Sequence, residues 1–334
     1  MLVLENGKII NLMKSKILPI AGDASFRKFY RLILNKKSKI IVFAQKEKYK
    51  NLVAYSAINK FLKKNGILAP KLYNYNFSKG VIVIEDFGDL SFHSILLKAK
   101  NKLTVYKSLI DLLLKIQNIK PKSKIKNINQ GSHKINKYSN KYLFKKSDLF
   151  FDWYLPLFLS KKKAANIKLE SNEILLKLYN KLNFSNSCFV HRDFHSQNLM
   201  KVGKKIGIID NQDALIGNPA YDLVSLIDDV RIKTSLKLKD KIYSYYLKKA
   251  FKIHEGNSKK FLEDFKILSI QRSLKIIGIF SRLFVRDKKK QYLKFIPYTW
   301  QLLDLRMDSE IFNNLKKILK KNISTKIKKK VIYK

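Results

Sequence analysis

Acidic residues are scarce in this 334-residue chain: 25 Asp and Glu stand against 70 Lys and Arg, a formal net charge of +45. Cysteine occurs once, at Cys188, which excludes an internal disulfide and fits a reducing cytoplasm. No apolar run approaches the ~20 residues of a membrane span, and the N-terminus lacks the apolar core of a secretory leader. Arginine is rare as well, at 8 of the 70 basic residues. The lysines are spread along the whole chain among abundant Ile and Asn, as a proteome-wide compositional bias would leave them. Base readout and phosphate forks favour arginine, so no specific nucleic-acid partner is expected. What is present is apolar: at 46% hydrophobic residues the chain is not a disordered one, and its length allows two lobes with a substantial core.

One stretch carries the chemistry. His191-Arg192-Asp193-Phe194-His195-Ser196-Gln197-Asn198 follows an apolar entry at Cys188, Phe189 and Val190. Val202-Gly203-Lys204-Lys205 reads as a tight turn between apolar runs, because Gly203 can take positive φ. Ile206 to Asp213 then ends in a second polar loop. Such a hairpin brings Asn198 near Asp210, so that Asp193, Asn198 and Asp210 converge. Phosphoryl transfer needs this set: a carboxylate to orient and deprotonate a hydroxyl, and oxygens to hold Mg²⁺ on nucleotide phosphates. The competing reading is a surface hairpin whose Asp and Asn residues only make turns.

The spacing of Asp193 and Asn198 behind His191-Arg192 is similar to that of the protein-kinase catalytic loop, and Asp210 follows where kinases place a Mg²⁺-binding Asp. His195 and the run Asp210-Asn211-Gln212-Asp213 depart from protein kinases. At these residues the chain resembles the aminoglycoside phosphotransferase and choline kinase superfamily, and within it most of all the bacterial N-acetylmuramate/N-acetylglucosamine anomeric kinases. That likeness also rests on Gly22-Asp23-Ala24-Ser25-Phe26-Arg27, Glu85-Asp86-Phe87-Gly88-Asp89, Leu149 to Tyr154, Tyr221-Asp222-Leu223, and Gln271-Arg272 through Arg286-Asp287.

The resemblance implies an α+β, two-lobed, protein-kinase-like fold. Residues 1–86 would form a small antiparallel-sheet lobe, 87–320 a larger, mainly helical catalytic and acceptor lobe, and 321–334 a solvated basic tail. Strands are expected near 26–34, 39–44, 69–73 and 80–86, with helices over 51–64, 92–119, 170–183, 221–230, 235–254, 258–284 and 297–320. Residues 120–147, rich in Lys and Asn, read as a surface loop.

ATP and Mg²⁺ are the expected cofactors. Asp193 is the candidate base, and Asn198 and Asp210 are the candidate metal ligands. The turn at Gly22, Ser25, Phe26 and Arg27 would cover the phosphates, and Glu85 to Phe87 would offer backbone groups to an adenine edge. No lysine sits squarely in the strand over 39–44, and Lys46 and Lys48 follow just beyond it. Asp152, Trp153, His195 and Asp213 are the acceptor-side candidates, although 149–159 reads equally well as aromatic core. Arg272, Arg282 and Arg286 suit either a carboxylate on the acceptor or an internal ion pair. The expected reaction is phosphorylation of the anomeric hydroxyl of an N-acetylated amino sugar by a monomer. Alternatives are another small alcohol (aminoglycoside, choline or homoserine type) and a kinase-like protein that only binds nucleotide.

Overall fold

A computed structural model describes residues 2–3, 9–10, 15–20, 27–34, 37–44, 49–128 and 131–330. They pack as two compact units: one of residues 1–100, 118–136 and 191–215, the other of 101–117, 137–190 and 216–334. The class is α+β, with an antiparallel sheet in the first unit and a mainly helical second unit.

In the first unit Leu2–Val3 (β1) pairs with Ile9–Ile10 (β2). Five strands then form the sheet: Ser15–Ile20 (β3), Lys28–Leu34 (β4), Lys37–Phe43 (β5), Leu72–Asn76 (β6) and Val81–Glu85 (β7), in the order β3-β4-β5-β7-β6. Successive strand residues point to opposite faces. Ile40 and Val42 therefore pack with Leu52 and Tyr55 of the helix Tyr49–Lys64 (α1), while Ile41 joins Leu32 and Val83 on the other face. Leu52, Tyr55, Ile58 and Leu62, buried at helical spacing, seat α1 on the sheet. The helix stops at Gly66, whose φ of 75° closes it. β6 begins at Leu72 and not at Ala69, as Pro70 brings no N–H to a ladder.

Beyond β7, Ser91 caps the helix Phe92–Lys98 (α2) by accepting from Ser94 N–H. The hairpin Lys124–Lys126 (β8) and Ser132–Lys134 (β9) belongs to this unit as well. So does the hairpin that follows His191 to Asn198, which the chain reaches after Cys188–Val190 (β10) of the second unit. Its strands Leu199–Val202 (β11) and Lys205–Ile208 (β12) pair in register Val202 to Lys205, across a two-residue turn with Gly203 at φ 56°. Both outer edges of this hairpin are tied down: Lys201 N–H donates to Leu90 O and Ile208 N–H to Leu68 O, each at 2.8 Å.

The second unit is built from Lys102–Gln117 (α3), Asn140–Leu149 (α4), Lys161–Asn180 (α5), Ala220–Ile227 (α6), Leu236–Lys249 (α7), Phe251–His254 (α8), Ser258–Asp287 (α9), Ile296–Arg306 (α10), Asn313–Asn322 (α11) and Thr325–Lys329 (α12). Two expectations are corrected here. Residues 120–147 are not one loop: they hold the β8–β9 hairpin and the start of α4. Polar composition hid the anchors, which are buried Ile125, Ile135, Tyr138 and Leu143 and the cap Ser139. The basic C-terminal stretch is not simply solvated either. Lys328 bonds Asp304 at 2.9 Å and lies over the Trp300 ring, and Ile327 O accepts from Tyr154 OH. Residues 331–334 lie outside the described ones.

α4 runs into a π-turn at Phe150–Tyr154, and both cross α9 at Gly278. A Cβ there would lie 2.5 Å from Leu149 O and Phe150 N. Alanine in place of glycine usually favours a helix. At this crossing Gly278→Ala is expected to destabilise by about 1–3 kcal/mol through overpacking, read as a lower urea midpoint. An unchanged midpoint would mean that the π-turn yields freely.

Candidate active site

The two polar loops flanking the β11–β12 hairpin, the candidates for the chemistry, are joined by the register of its strands. Leu199 pairs with Ile208, and Ile209 N–H donates to Asn198 O at 3.0 Å, so Asp210 is the next residue along from Asn198's direct partner. The His191 ring bridges the loops. Its Nδ1 accepts from Asp193 N–H at 3.3 Å, which leaves Nε2 as the donor to Ile209 O at 2.9 Å. Asn198 Nδ2 donates to Asp193 O at 3.0 Å, and His195 N–H donates to the same carbonyl at 2.9 Å. Asp193 is thus fixed through its backbone, at a half-buried position.

Backbone strain marks the same loops. Among the described residues, Arg192, Asp210, Glu255 and Lys288 are the non-glycine positions with positive φ. Glu255 and Lys288 are helix C-caps, where that conformation is ordinary. Arg192 (77°) and Asp210 (65°) have no such reason and flank the candidate chemistry on both sides.

An ion-pair network surrounds Asp210. The buried Arg27, just before β4, binds Asp210 through Nη2 and donates from Nη1 to Gln212 Oε1 at 2.8 Å. Gln212 Nε2 reaches Asp210 Oδ1 and Asp213 Oδ2, each at 3.2 Å. Arg192 donates to Asp213 O at 3.1 Å and pairs with its half-exposed carboxylate. Asn211 Nδ2 bonds Asn59 Oδ1 at 2.8 Å, docking the loop on α1. Beside it, burial pushes the Tyr55 phenol up to about 12, and the Asn59 bond and Arg27 only partly oppose this.

Among the described residues no three His, Cys, Asp or Glu side chains converge as an all-protein metal cage. Asp210 and Asn198 fit a different arrangement. The Asn198 amide nitrogen is engaged by Asp193 O, which turns its oxygen into the available end, and the Asp210 carboxylate is one-third exposed. Two protein oxygens on paired segments suit a Mg²⁺ completed by phosphate and water.

The segment after β7 is clamped. Arg31 of β4 reaches Asp86 through Nε (2.6 Å) and Asp89 through Nη1 and Nη2 (2.9 and 2.8 Å). Burial alone would raise the Asp86 carboxyl; the Arg31 fork and the Gly88 N–H bring it below the usual range. Glu85 Oε2 accepts from Lys71 N–H at 3.0 Å. The buried Phe87 ring lies against Gly207 of β12, where a Cβ would come within 2.6 Å of it. Both side chains are engaged in structure, so what the segment offers a ligand is backbone.

The remaining predicted residues are dispersed. Gly22, Ser25 and Phe26, with Lys46 and Lys48, lie outside the described residues. His195 is buried, while Asp213 is exposed. Asp152 and Trp153 belong to the second unit; Asp152 binds Lys168 at 2.9 Å, and Trp153 is half-buried beside the core aromatics Phe151 and Tyr154. Arg286 pairs with its neighbour Asp287. Cys188 is a buried core residue whose thiol is pushed up by burial. A wide hollow of about 1000 Å³ between α3 and α7 is lined by Lys107, Lys241, Tyr245 and neighbours, none of them a predicted site residue.

Sequence reasoning missed Gln212, Arg31 and Gly207 as organisers of the site. Arginine scarcity was the available signal for Arg31, since a chain that uses lysine by default keeps arginine where a fork is needed.

The model of the phosphotransferase enzyme family matches residues 16–253. An N-acetylmuramate/N-acetylglucosamine kinase of Caulobacter vibrioides is 29% identical over 257 residues, covering 75% of this chain and 69% of that protein. An aminoglycoside phosphotransferase solved with ADP bound has a TM-score of 0.59 at 14% identity, over 87% of this chain and 93% of its own. A choline kinase from Cryptosporidium parvum Iowa II has a TM-score of 0.57 at 15% identity, over 93% and 97%. These solved neighbours share the fold of a small antiparallel sheet with a helical remainder. With more than half its length matched, the chain belongs to the phosphotransferase enzyme family and is an ATP-dependent phosphotransferase.

Proposed function

We propose that this chain transfers the γ-phosphoryl group of ATP to the anomeric hydroxyl of N-acetylmuramate or N-acetylglucosamine. The observation that carries the phosphoryl chemistry is the pairing of Asn198 with the residue next to Asp210, with Asp193 anchored to Asn198. The name of the Caulobacter relative supports the amino-sugar acceptor. Asp193 orients the acceptor hydroxyl and takes its proton as the oxygen attacks. Asn198 Oδ1 and Asp210 hold the metal. A bound Mg²⁺ supplies charge neutralisation on the phosphate oxygens. Gly22, Ser25, Phe26 and Arg27 are the phosphate-side residues, and the backbone of Glu85 to Phe87 receives the adenine edge. His195, Asp213, Asp152 and Trp153 are the acceptor-side residues, with Asp152 exchanging Lys168 for sugar hydroxyls. The enzyme works as a cytoplasmic monomer.

A second reading keeps the mechanism and changes the acceptor, as the fold neighbours include an aminoglycoside phosphotransferase and a choline kinase. Cationic aminoglycosides suit acidic pockets, and a chain of net charge +45 is poorly furnished for them. The test is ADP release over a panel of N-acetylmuramate, N-acetylglucosamine, other hexoses, choline and aminoglycosides. Turnover on the N-acetyl sugars with loss of their reducing end is expected. Turnover confined to another acceptor would discard the sugar assignment.

A further inference from the structure

Kinase-type sites place a cation against the nucleotide phosphates, supplied in protein kinases by a lysine on the third strand of the sheet. The lysines of β5 do not meet that need. Lys37 and Lys39 are exposed at the start of the strand, with Lys39 Nζ 4.7 Å from the Tyr73 ring centre, and the remainder is Ile40-Ile41-Val42-Phe43. A cation does stand at the candidate metal ligand, just ahead of a different strand. Arg27 precedes β4, its side chain is 5% exposed, and its guanidinium reaches both Asp210 and Gln212.

We propose that Arg27 is the phosphate-side cation of this enzyme, and that Arg27 and the metal ion alternate on Asp210. This rests on Asp210 being the metal ligand, as argued above. Without nucleotide, Asp210 closes on Arg27 and supplies the counter-charge that a buried guanidinium requires. With the metal–nucleotide complex in place, Asp210 turns to the metal and Arg27 Nη2 turns to a phosphate oxygen.

Three features of the structure make this exchange inexpensive. Arg27 is held at more than one point, so Nη1 can stay on Gln212 Oε1 while Nη2 changes partner. Gln212 Nε2 bonds Asp213 as well as Asp210, so it keeps one carboxylate partner when Asp210 turns away. The Asp210 carboxylate is 36% exposed against 5% for Arg27, so the carboxylate is the partner that an incoming ion can reach.

The charges also set an order of events. A divalent ion arriving alone would take Asp210 and leave a buried guanidinium facing added positive charge. Arriving with phosphates, it brings the replacement anion. Free metal should therefore bind poorly, and metal and nucleotide should bind together.

The test uses Mn²⁺ as the metal probe and ADP as the nucleotide, with binding followed by calorimetry and by thermal unfolding rather than by turnover. For the wild-type chain, Mn²⁺ alone should leave the unfolding midpoint unmoved, while Mn²⁺ with ADP raises it. Equal stabilisation by Mn²⁺ alone would overturn the proposal without any variant. For Arg27→Gln, free Mn²⁺ should bind about tenfold tighter or more, because a nearby like charge is gone. Mn²⁺–ADP should bind about 10- to 100-fold weaker, the worth of a hydrogen bond to a charged group. Arg27→Lys, which keeps the charge and loses the fork, should retain the wild-type weakness for free metal. A purely structural Arg27 would weaken both ligands together, and that result overturns the exchange. Asp210→Asn separates the two levels of the argument. If it keeps metal–nucleotide binding, Asp210 is not the metal ligand and the functional reading fails. If it loses that binding while Arg27→Gln leaves free-metal affinity unchanged, the exchange alone fails.

Discussion

Asp193→Asn is expected to lower turnover by ~10²–10⁴, the range for removing a general base, with nucleotide affinity nearly unchanged. Asparagine keeps the size and can accept a hydrogen bond from the acceptor hydroxyl, but it cannot take the proton as the oxygen attacks. The loop should survive the change. Bonds through the Asp193 backbone, which the substitution keeps, help to shape it: its N–H to His191 Nδ1, and its carbonyl to Asn198 Nδ2 and His195 N–H. Single-turnover kinetics with saturating ATP and acceptor, alongside ADP binding, make the measurement. Near-normal turnover in a folded, nucleotide-binding variant would remove Asp193 from the chemistry.

The second large effect concerns stability. Asp228, at the end of α6, is buried and accepts from Lys239 of α7 (2.9 Å), from Arg306 of α10 through Nε and Nη2 (both 2.9 Å) and from Ser269 of α9 (2.7 Å). One carboxylate thus ties four helices of the second unit together and is the shared counter-charge of two buried cations. Asp228→Asn keeps the shape and takes away the counter-ion that Lys239 and Arg306 share, so a loss of about 3–5 kcal/mol is expected, read from urea unfolding.

The same group gives a pH dependence. Burial would raise the Asp228 carboxyl, but Lys239 and Arg306 outweigh it and hold the group well below the usual carboxylate range. Its folded-state pKa is depressed, so its contribution is fully present above the unfolded value of about 4 and fades as pH falls below it. Wild-type stability should therefore drop in that acid window more steeply than stability of the asparagine variant. Parallel acid profiles would show that the pair contributes nothing.

The class of fold and the hairpin at its centre were legible because each rests on local pattern. Gly203 announced a turn, and the alternation on either side gave the strands that set Asn198 beside Ile209. α1 was legible from Leu52, Tyr55, Ile58 and Leu62 and from its stop at Gly66. Residues 120–147 were not, since their few apolar anchors are diluted by Lys and Asn that point to solvent. Long-range partnerships were illegible for a different reason. Nothing local in Arg27 tells that it will meet Asp210, or in Gly207 that Phe87 will lie on it. Rarity was the usable clue: Arg27, Arg31, Arg192, Arg231, Arg286 and Arg306 each pair with an aspartate. That clue had pointed to the later arginines, when it applied equally to the first three.

The grip of Leu68 and Leu90 on the two edges of the β11–β12 hairpin sets when the candidate site can come into being. Each of these bonds joins residues more than a hundred positions apart, and the helices α3, α4 and α5 lie between them in sequence. Contacts of such separation form late, because a long loop must close before they return anything. A growing chain displays the sheet well before the hairpin exists to be gripped. Helices can form and the second unit can begin to pack while the loops that carry Asp193 and Asp210 are still unanchored. Competence to bind a nucleotide is then among the last properties this chain acquires as it folds, and among the first it forfeits if the early strands come loose.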